Sequence, residues 1–349
     1  MTPLSRRHRS TGFTLVEMLV SFVVMLILLL VVSAMVNRTS TIWTYTRGKI
    51  EQFREARDAF DLLTRHISEA TLNTYYDYED DQQRTRTEAT RATFVPRTYA
   101  RQSELRFLSG PALHGESHAI FFQAPMGRVD SNVDNRSGSA LNTIGFFIEY
   151  GDDKAFLPPF AKERTRFRLM EFIEPSDKLT LYTYTSGAAS GADRLSDKWF
   201  KTPLSATPAP VNIAAENIIA LALLPKLSPA DQAAGNQAGG NYTDTSLAPN
   251  YTYDSTKRES DPRLNPRNQL PVLVQVTMIA IDEASALRIG DIGLQGIRNE
   301  LKDRFINASK YADDLKDMEG YLAENHIAYQ VFSSNIALKN AKWSRNQIK

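Results

Sequence analysis

Two histidines four residues apart are the first candidates for chemistry in this chain. On a helix, His114 and His118 would lie on one face and could share a metal ion. The glycines and proline around them, Gly110-Pro111 and Gly115, indicate a turn instead, and no third histidine stands nearby in sequence. We therefore expect solvated or locally hydrogen-bonded histidines and no metal site.

Charged clusters are the next candidates. Carboxylates gather at three places, and a calcium ion needs six to eight oxygen ligands. None of the three has EF-hand spacing, so solvated loop charge is the expectation: Asp77, Glu79, Asp80 and Asp81; Asp152 and Asp153; Asp313 and Asp314. Arg164, Arg166 and Arg168 alternate and would share one face of a strand. They could contact an anionic partner, but a solvated strand face is expected.

Known catalytic signatures are missing from the sequence. The glycines Gly290, Gly293 and Gly296 lack the spacing of a dinucleotide-binding turn, and there is no phosphate-binding loop or nucleophile elbow. The chain has no cysteine, which excludes disulfides and thiolate chemistry. Its 41 basic and 40 acidic residues argue against a nucleic-acid binder with a strongly basic surface. The sequence predicts a non-catalytic protein with no cofactor and no nucleic-acid partner.

The N-terminal segment has a different character from the rest. Arginines at positions 6, 7 and 9 precede an apolar run over residues 13–36, and Met18–Val36 contains no charge, proline or glycine. As a helix, Met18–Val36 would extend roughly 28 Å, close to the thickness of a bilayer core. Basic residues before it predict a cytoplasmic N-terminus with the bulk of the chain outside. The mean hydropathy of the whole chain is −0.34, because this apolar segment is averaged with a much longer polar remainder.

Glu17 is the unusual residue of this segment, because a carboxylate at the edge of a membrane helix is costly. If the chain were cut after Gly12, Phe13 would carry a cationic amine that Glu17 could neutralise within the chain or on a neighbour. The alternative is an uncleaved signal anchor whose Glu17 lies among lipid headgroups.

These residues resemble a known signal. A basic leader ending in Gly12, followed by Phe13-Thr-Leu-Val-Glu17 and an apolar run, looks like the prepilin signal of type IV pilins and type II secretion pseudopilins. The resemblance implies cleavage between Gly12 and Phe13 by a prepilin peptidase, N-methylation of Phe13, and a role for Glu17 in pairing with a neighbouring subunit. The run lacks the proline that many pilins have, so no kink is expected.

The remainder extends the resemblance. FREARDAFDLLTRHISEATLNTYYDY and the pair AENIIALALLPK and NQLPVLVQVTMIAIDE resemble minor pseudopilins of the J type. RQSELRFLSGPAL, HAIFFQAPMG, FRLMEFIEPS and NIALKNAKWS look like the verrucomicrobial family called Verru_Chthon cassette protein C. That family implies a prepilin-type protein and little about activity.

The pattern beyond the apolar run predicts an α+β domain. Phe53, Phe60, Leu63, Ile67 and Ala70 form an apolar stripe that continues the helix over residues 37–76, to lie on a sheet or, alternatively, in a coiled-coil stalk. Residues 77–103 are expected to be a loop. Eight strands are predicted, with short turns that favour antiparallel pairing: 104–108, 119–124, 143–150, 166–173, 179–185, 217–224, 272–281 and 328–338. Residues 228–268 are expected to form an insertion loop, and 297–324 a C-terminal helix.

Together these features predict four regions: a leader at 1–12, a transmembrane helix at 13–36, its amphipathic continuation at 37–76, and an extracytoplasmic pilin-like domain at 77–349. The expected partners are prepilin peptidase, other pilin-like subunits and the cytoplasmic membrane. We expect a structural subunit of a pilus or secretion filament. A membrane-anchored binding or adhesin module and a tethered envelope enzyme are the alternatives.

Overall fold

A helix of 54 residues, α1 (Leu15–Ser68), opens the structure, a computed structural model. The structure describes residues 14–343 except 83, 87–92, 131–137, 155–157, 159, 161–162 and 186–196. The chain forms two compact units, one ending at Glu51 and the other beginning at Gln52. In the second unit, the predicted stripe is confirmed: Phe60, Leu63, Ile67 and Ala70 are buried, and Phe53 packs against the same core.

The helix ends at Ser68, short of the predicted boundary at residue 76. The chain leaves it to join the sheet, because the Thr71 amide donates to the Gln123 carbonyl at 2.8 Å. The Asn73 side-chain oxygen then accepts from the backbone amides of Glu104 and Leu105 at 3.0 and 3.1 Å.

The second unit combines antiparallel sheets with helices, so the predicted α+β class is confirmed. The strands of two of these sheets are β3 (Phe107–Pro111), β4 (Glu116–Pro125), β5 (Leu141–Asp152), β6 (Thr165–Glu174), β7 (Val211–Glu216), β8 (Ile218–Lys226), β9 (Tyr253–Asp254), β10 (Leu273–Ile281) and β11 (Tyr329–Ala337). A six-stranded sheet has the order β7-β6-β5-β4-β3-β9, and a three-stranded sheet has the order β11-β10-β8. A separate hairpin pairs β1 (Tyr75–Glu79) with β2 (Thr98–Gln102).

Both faces of the six-stranded sheet are buried, and alternation along β4 shows how. Ile120 and Phe122 point into the main core with α1, β8 and β10. Phe121 points to the other face, where it joins a second cluster with Trp199 and Phe200. That cluster is completed by two short helices, α2 (Leu181–Thr185) and α3 (Lys198–Leu204).

Two expectations about the elements were wrong. The predicted loop at 77–103 contains part of β1 and all of β2. The predicted strand at 179–185 contains helix α2, whose start is fixed by the Glu174 carboxylate, which accepts from the Thr180 amide at 2.9 Å. The C-terminal helix expected at 297–324 is present, divided into α5 (Glu283–Leu301) and α6 (Tyr311–Glu324) with Phe305 at a positive φ of 55° between them.

The predicted insertion at 228–268 also has secondary structure. It contains α4 (Pro229–Gln237), a short 3-10 helix (Asp244–Leu247) and strand β9. Ser228 begins α4, since its hydroxyl accepts from the Asp231 amide at 3.1 Å. Strand β9 pairs with β3, so the end of this segment belongs to the six-stranded sheet.

Candidate processing and assembly site

The first part of α1 is apolar and exposed. Leu15–Val36 has a mean hydropathy of 3.1, and none of it is buried within the protein. Among the described residues it is the one helix long and apolar enough to cross a membrane. Large side chains on all sides of it are exposed, including Leu30 at 70% and Met35 at 70%. A helix that is apolar all round has to be covered by lipid or by other helices.

Glu17 lies in the first turn of this helix and closes a capping box with Thr14. Its Oε2 accepts from the Thr14 amide and hydroxyl, both at 2.9 Å, and its own amide donates to Thr14 Oγ1 at 3.4 Å. These bonds satisfy backbone donors that have no partner within a helix, and the carboxylate also faces the positive end of the helix dipole. The carboxylate of the exposed Glu17 therefore already accepts hydrogen bonds from Thr14 within the single chain.

Gly12 and Phe13, between which cleavage is predicted, lie outside the described residues. The description begins at Thr14, the residue after Phe13. Thr14 itself was missed by sequence reasoning. The pattern Thr14-x-x-Glu17 ahead of an apolar run is the sequence signature of a capping box and would have identified it.

The two histidines of the predicted pair each contact residues of the domain. Ring nitrogen Nδ1 of His118 accepts from the Leu223 amide at 2.9 Å, and Nε2 lies 2.8 Å from the Phe305 carbonyl, to which it donates. Burial lowers the pKa of His118 to about 4, so the ring is neutral. His114 packs edge-on against Phe147 at 4.4 Å. Local bonding is confirmed for His118, and no group of three metal-ligating side chains occurs within the described part of the chain.

The expectation of a solvated strand face was wrong for two of the three arginines. Arg166 and Arg168 are 2% and 1% exposed, whereas Arg164 is exposed. Arg166 forms an ion pair with Glu283 at the start of α5, and Arg164 Nη1 lies 3.4 Å from the same carboxylate. Glu283 is thus an in-chain anionic partner of Arg164 and Arg166, and these contacts hold α5 against β6.

The acidic cluster at 77–81 is likewise structural, and the expectation of solvated charge was wrong for two of its members. Glu79 is 1% and Asp80 3% exposed. Glu79 forms ion pairs with Arg267 and with Arg258, the latter at 3.3 Å, and accepts from Gln102 Nε2 at 2.6 Å.

One member of each of the two other acidic pairs has a structural role in the chain. Asp153 is buried, so solvated charge was wrong for it, and it accepts from the Arg164 amide at 2.7 Å. Asp314 accepts from the Phe305 amide at 2.8 Å and closes the turn between α5 and α6. Asp152 and Asp313 are exposed, as expected for solvated charge.

One cavity is bordered by a carboxyl group whose pKa is raised. It has a volume of about 680 Å³ and is bordered by Glu174, Arg128 and four prolines. Burial raises the pKa of Glu174, and hydrogen bonds from Thr180 and Thr143 act against that rise. Glu174 is 2% exposed and caps α2 through Thr180, so its role in the fold accounts for its burial.

Comparison with known protein families matches residues 7–33 to the prokaryotic N-terminal methylation motif. The match covers Arg7, Arg9, Gly12, Phe13, Glu17 and most of the exposed apolar helix. No curated protein and no protein of solved structure matches the chain. The motif supports a prepilin-like protein and implies a substrate of prepilin peptidase, and the apolar N-terminal helix fits the membrane anchor of such a protein.

Proposed function

We propose that this chain is a non-catalytic structural subunit, similar to a minor pilin or pseudopilin, of a type IV pilus or a type II secretion-like filament. The observation that carries the proposal is the methylation motif at residues 7–33, with its glutamate in the first turn of a helix that is apolar and exposed on all sides. Such a helix needs a lipid or protein environment, and a filament core supplies one.

Processing comes first in this proposal. The leader at 1–12 stays in the cytoplasm, a prepilin peptidase cuts between Gly12 and Phe13, and the new amine of Phe13 is methylated. Residues 13–36 then hold the subunit in the cytoplasmic membrane, with 37–76 and the domain at 77–349 on the outer side. The absence of charge within Met18–Val36 and the arginines before it support this orientation.

Assembly follows by transfer of the apolar helix from lipid to other pilin-like subunits. Contacts between helices replace contacts with lipid, so the transfer gains little hydrophobic free energy. A pair between Glu17 and a neighbour's amine would fix the axial position of each subunit. The desolvation of both charges keeps the net free energy of such a pair small, and its value lies in specificity.

Mass spectrometry of the protein from its native membrane tests the processing step. We expect a chain that begins at Phe13 and carries one additional methyl group. A Gly12→Val variant should remain at full length, since the resemblance places the cut after a glycine. A native N-terminus still at Met1, in cells with an active prepilin peptidase, would contradict the proposal and favour an uncleaved anchor that tethers a binding module or an enzyme.

Two substitutions at Glu17 test the assembly step and separate its charge from its capping role. Glu17→Ala removes both, whereas Glu17→Gln keeps an acceptor for Thr14 and removes the charge. We expect both variants to be cleaved normally and to be depleted from sheared filaments. Normal incorporation of Glu17→Gln with loss of Glu17→Ala would show that capping, and not pairing with an amine, is what assembly needs.

A further inference from the structure

A row of three tyrosines covers one face of the β1–β2 hairpin. Tyr78 lies opposite Tyr99 in the antiparallel register, and Tyr76 lies opposite Arg101. The Tyr99 ring is 5.2 Å from the Tyr78 ring and 5.5 Å from the Tyr76 ring. Tyr78 is 47% and Tyr99 38% exposed, so the row presents aromatic surface to solvent. We call Tyr76, Tyr78 and Tyr99 the tyrosine row.

The opposite face of the hairpin is what attaches it to the domain. Glu79, Ala100 and Gln102 are buried there, and Glu79 is bound by Arg258 and Arg267. A two-stranded sheet needs support from outside, and these ion pairs provide it. The exposed rings of Tyr78 and Tyr99 are therefore not needed to cover the hydrophobic core.

A polar depression adjoins the Tyr76 end of the row. It has a volume of about 110 Å³ and is bordered by Arg101 and Lys342, with the side-chain amides of Asn268, Gln269 and Asn340. Arg101 is fixed in place, because its Nη1 donates to Gln269 Oε1 at 2.9 Å and to the Lys342 carbonyl at 3.1 Å. The Lys342 side chain is exposed. The tyrosine row thus lies beside a small depression that is bordered by two cationic residues, Arg101 and Lys342.

We propose that this surface binds an acidic polysaccharide, a polymer of pyranose rings that carry carboxylates. The apolar faces of the sugar rings stack on Tyr78 and Tyr99, and the phenol hydroxyls remain available to sugar hydroxyls. A carboxylate enters the depression, where Arg101 and Lys342 complement its charge. This surface lies on the domain and does not depend on filament assembly.

Size and charge favour this occupant over a protein or a nucleic acid. Two half-exposed tyrosines offer roughly 170 Å² of surface, if a tyrosine contributes about 200 Å², whereas a stable protein interface buries about 800 Å² on each partner. Tight binding of a nucleic-acid strand relies on many phosphate contacts, and the whole chain has a net charge of only +1.

Affinity electrophoresis of the full chain in detergent tests the proposal, with gels that contain polygalacturonate or neutral hydroxyethylcellulose. We expect retardation by polygalacturonate alone, and less retardation as salt is raised. Tyr78→Ala and Lys342→Gln should each raise the Kd by about tenfold, which is the effect of losing one stacking or charged contact. Tyr78→Phe should retain most of the affinity because it keeps the ring.

The control is Tyr182→Ala, since Tyr182 is 40% exposed but lies in α2 and belongs neither to the tyrosine row nor to the border of the depression. It should bind like the original protein. Lys342→Gln alters an exposed side chain, so it keeps the test valid even if Tyr78→Ala unfolds the hairpin. Equal retardation by hydroxyethylcellulose, retention of a single-stranded oligonucleotide in place of polygalacturonate, or no retardation by any probe would each overturn the proposal.

Discussion

Glu79→Gln should open the segment that carries Arg258 and Arg267 while the rest of the domain stays folded. Glu79 is 1% exposed and forms ion pairs with both arginines, which come from the segment before β10. The amide is nearly the same size as the carboxylate, so the change removes charge without leaving a cavity. The two guanidinium groups then lose the counterion that Glu79 supplies.

The magnitude follows from the burial of the partners. Breaking a buried ion pair costs about 3–5 kcal/mol. Arg258 is 31% and Arg267 15% exposed, so water can solvate part of their charge, and the lower end of that range applies. A loss of about 3 kcal/mol in the local opening free energy raises the open population by about 100-fold, since 1.4 kcal/mol is a factor of ten.

Limited trypsin digestion measures that opening, because trypsin cuts after arginine. The assay follows cleavage of the Arg267–Asn268 bond, whose residues are held in the native state by Glu79 and by the Arg101 carbonyl, which accepts from Asn268 Nδ2 at 2.7 Å. When opening is fast relative to cleavage, the cleavage rate follows the open population. We expect a rate about 100-fold higher in Glu79→Gln than in the original chain.

The matched control is Asp58→Asn, the same carboxylate-to-amide change at an exposed position of α1. Its cleavage rate at Arg267 should equal that of the original chain. If Glu79→Gln were also cut at the original rate, the ion pairs would contribute nothing measurable to holding this segment, and the assignment of Glu79 as its attachment would be refuted.

Two further predictions concern the domain. The pKa of His118 falls from 6.5 in the unfolded chain to about 4 in the folded one, so the unfolded state binds more protons between these values. The contribution of His118 to the free energy of unfolding should be fully present above pH 6.5, and about 3 kcal/mol of it should be lost as the pH drops to 4. Chemical denaturation at several pH values should show a smaller loss in His118→Gln. Glu283→Ala leaves buried Arg166 without its carboxylate and should lower the free energy of unfolding by about 3 kcal/mol. The exposed pair of Glu163 and Lys154 is the control, and Glu163→Ala should leave the denaturation midpoint unchanged.

Sequence reasoning succeeded where the signal is local. The apolar segment and its glutamate stand in one short stretch, and the apolar alternation of β5, β6, β8 and β10 predicted strands close to their observed bounds. It failed where a residue outside the element decides the structure of that element. Leu181 is in a helix because its turn is capped by Glu174, although the local alternation indicated a strand.

The charged residues show the same limit. Glu79 and Arg267 are 188 positions apart, and Arg166 and Glu283 are 117 apart. Alternation alone assigns such arginines and carboxylates to a solvated face, because charged residues are seldom buried without a partner. Only the fold brings the partners together. The tyrosines of β1 were visible in the sequence, but their arrangement in a row depended on the pairing of β1 with β2 across a segment that was expected to be a loop.

The capping box changes what the proposed pairing of Glu17 can contribute. In the single chain the Glu17 carboxylate already accepts two hydrogen bonds from Thr14 at 2.9 Å, and it lies at the positive end of the helix dipole. A neighbour's amine would therefore compete with bonds that exist before assembly. The net gain is the difference between two charge-assisted arrangements, so it is small compared with either one. A small gain fits the proposed role of Glu17, in which it selects one axial position among several while packing along the apolar helix would hold the subunits together.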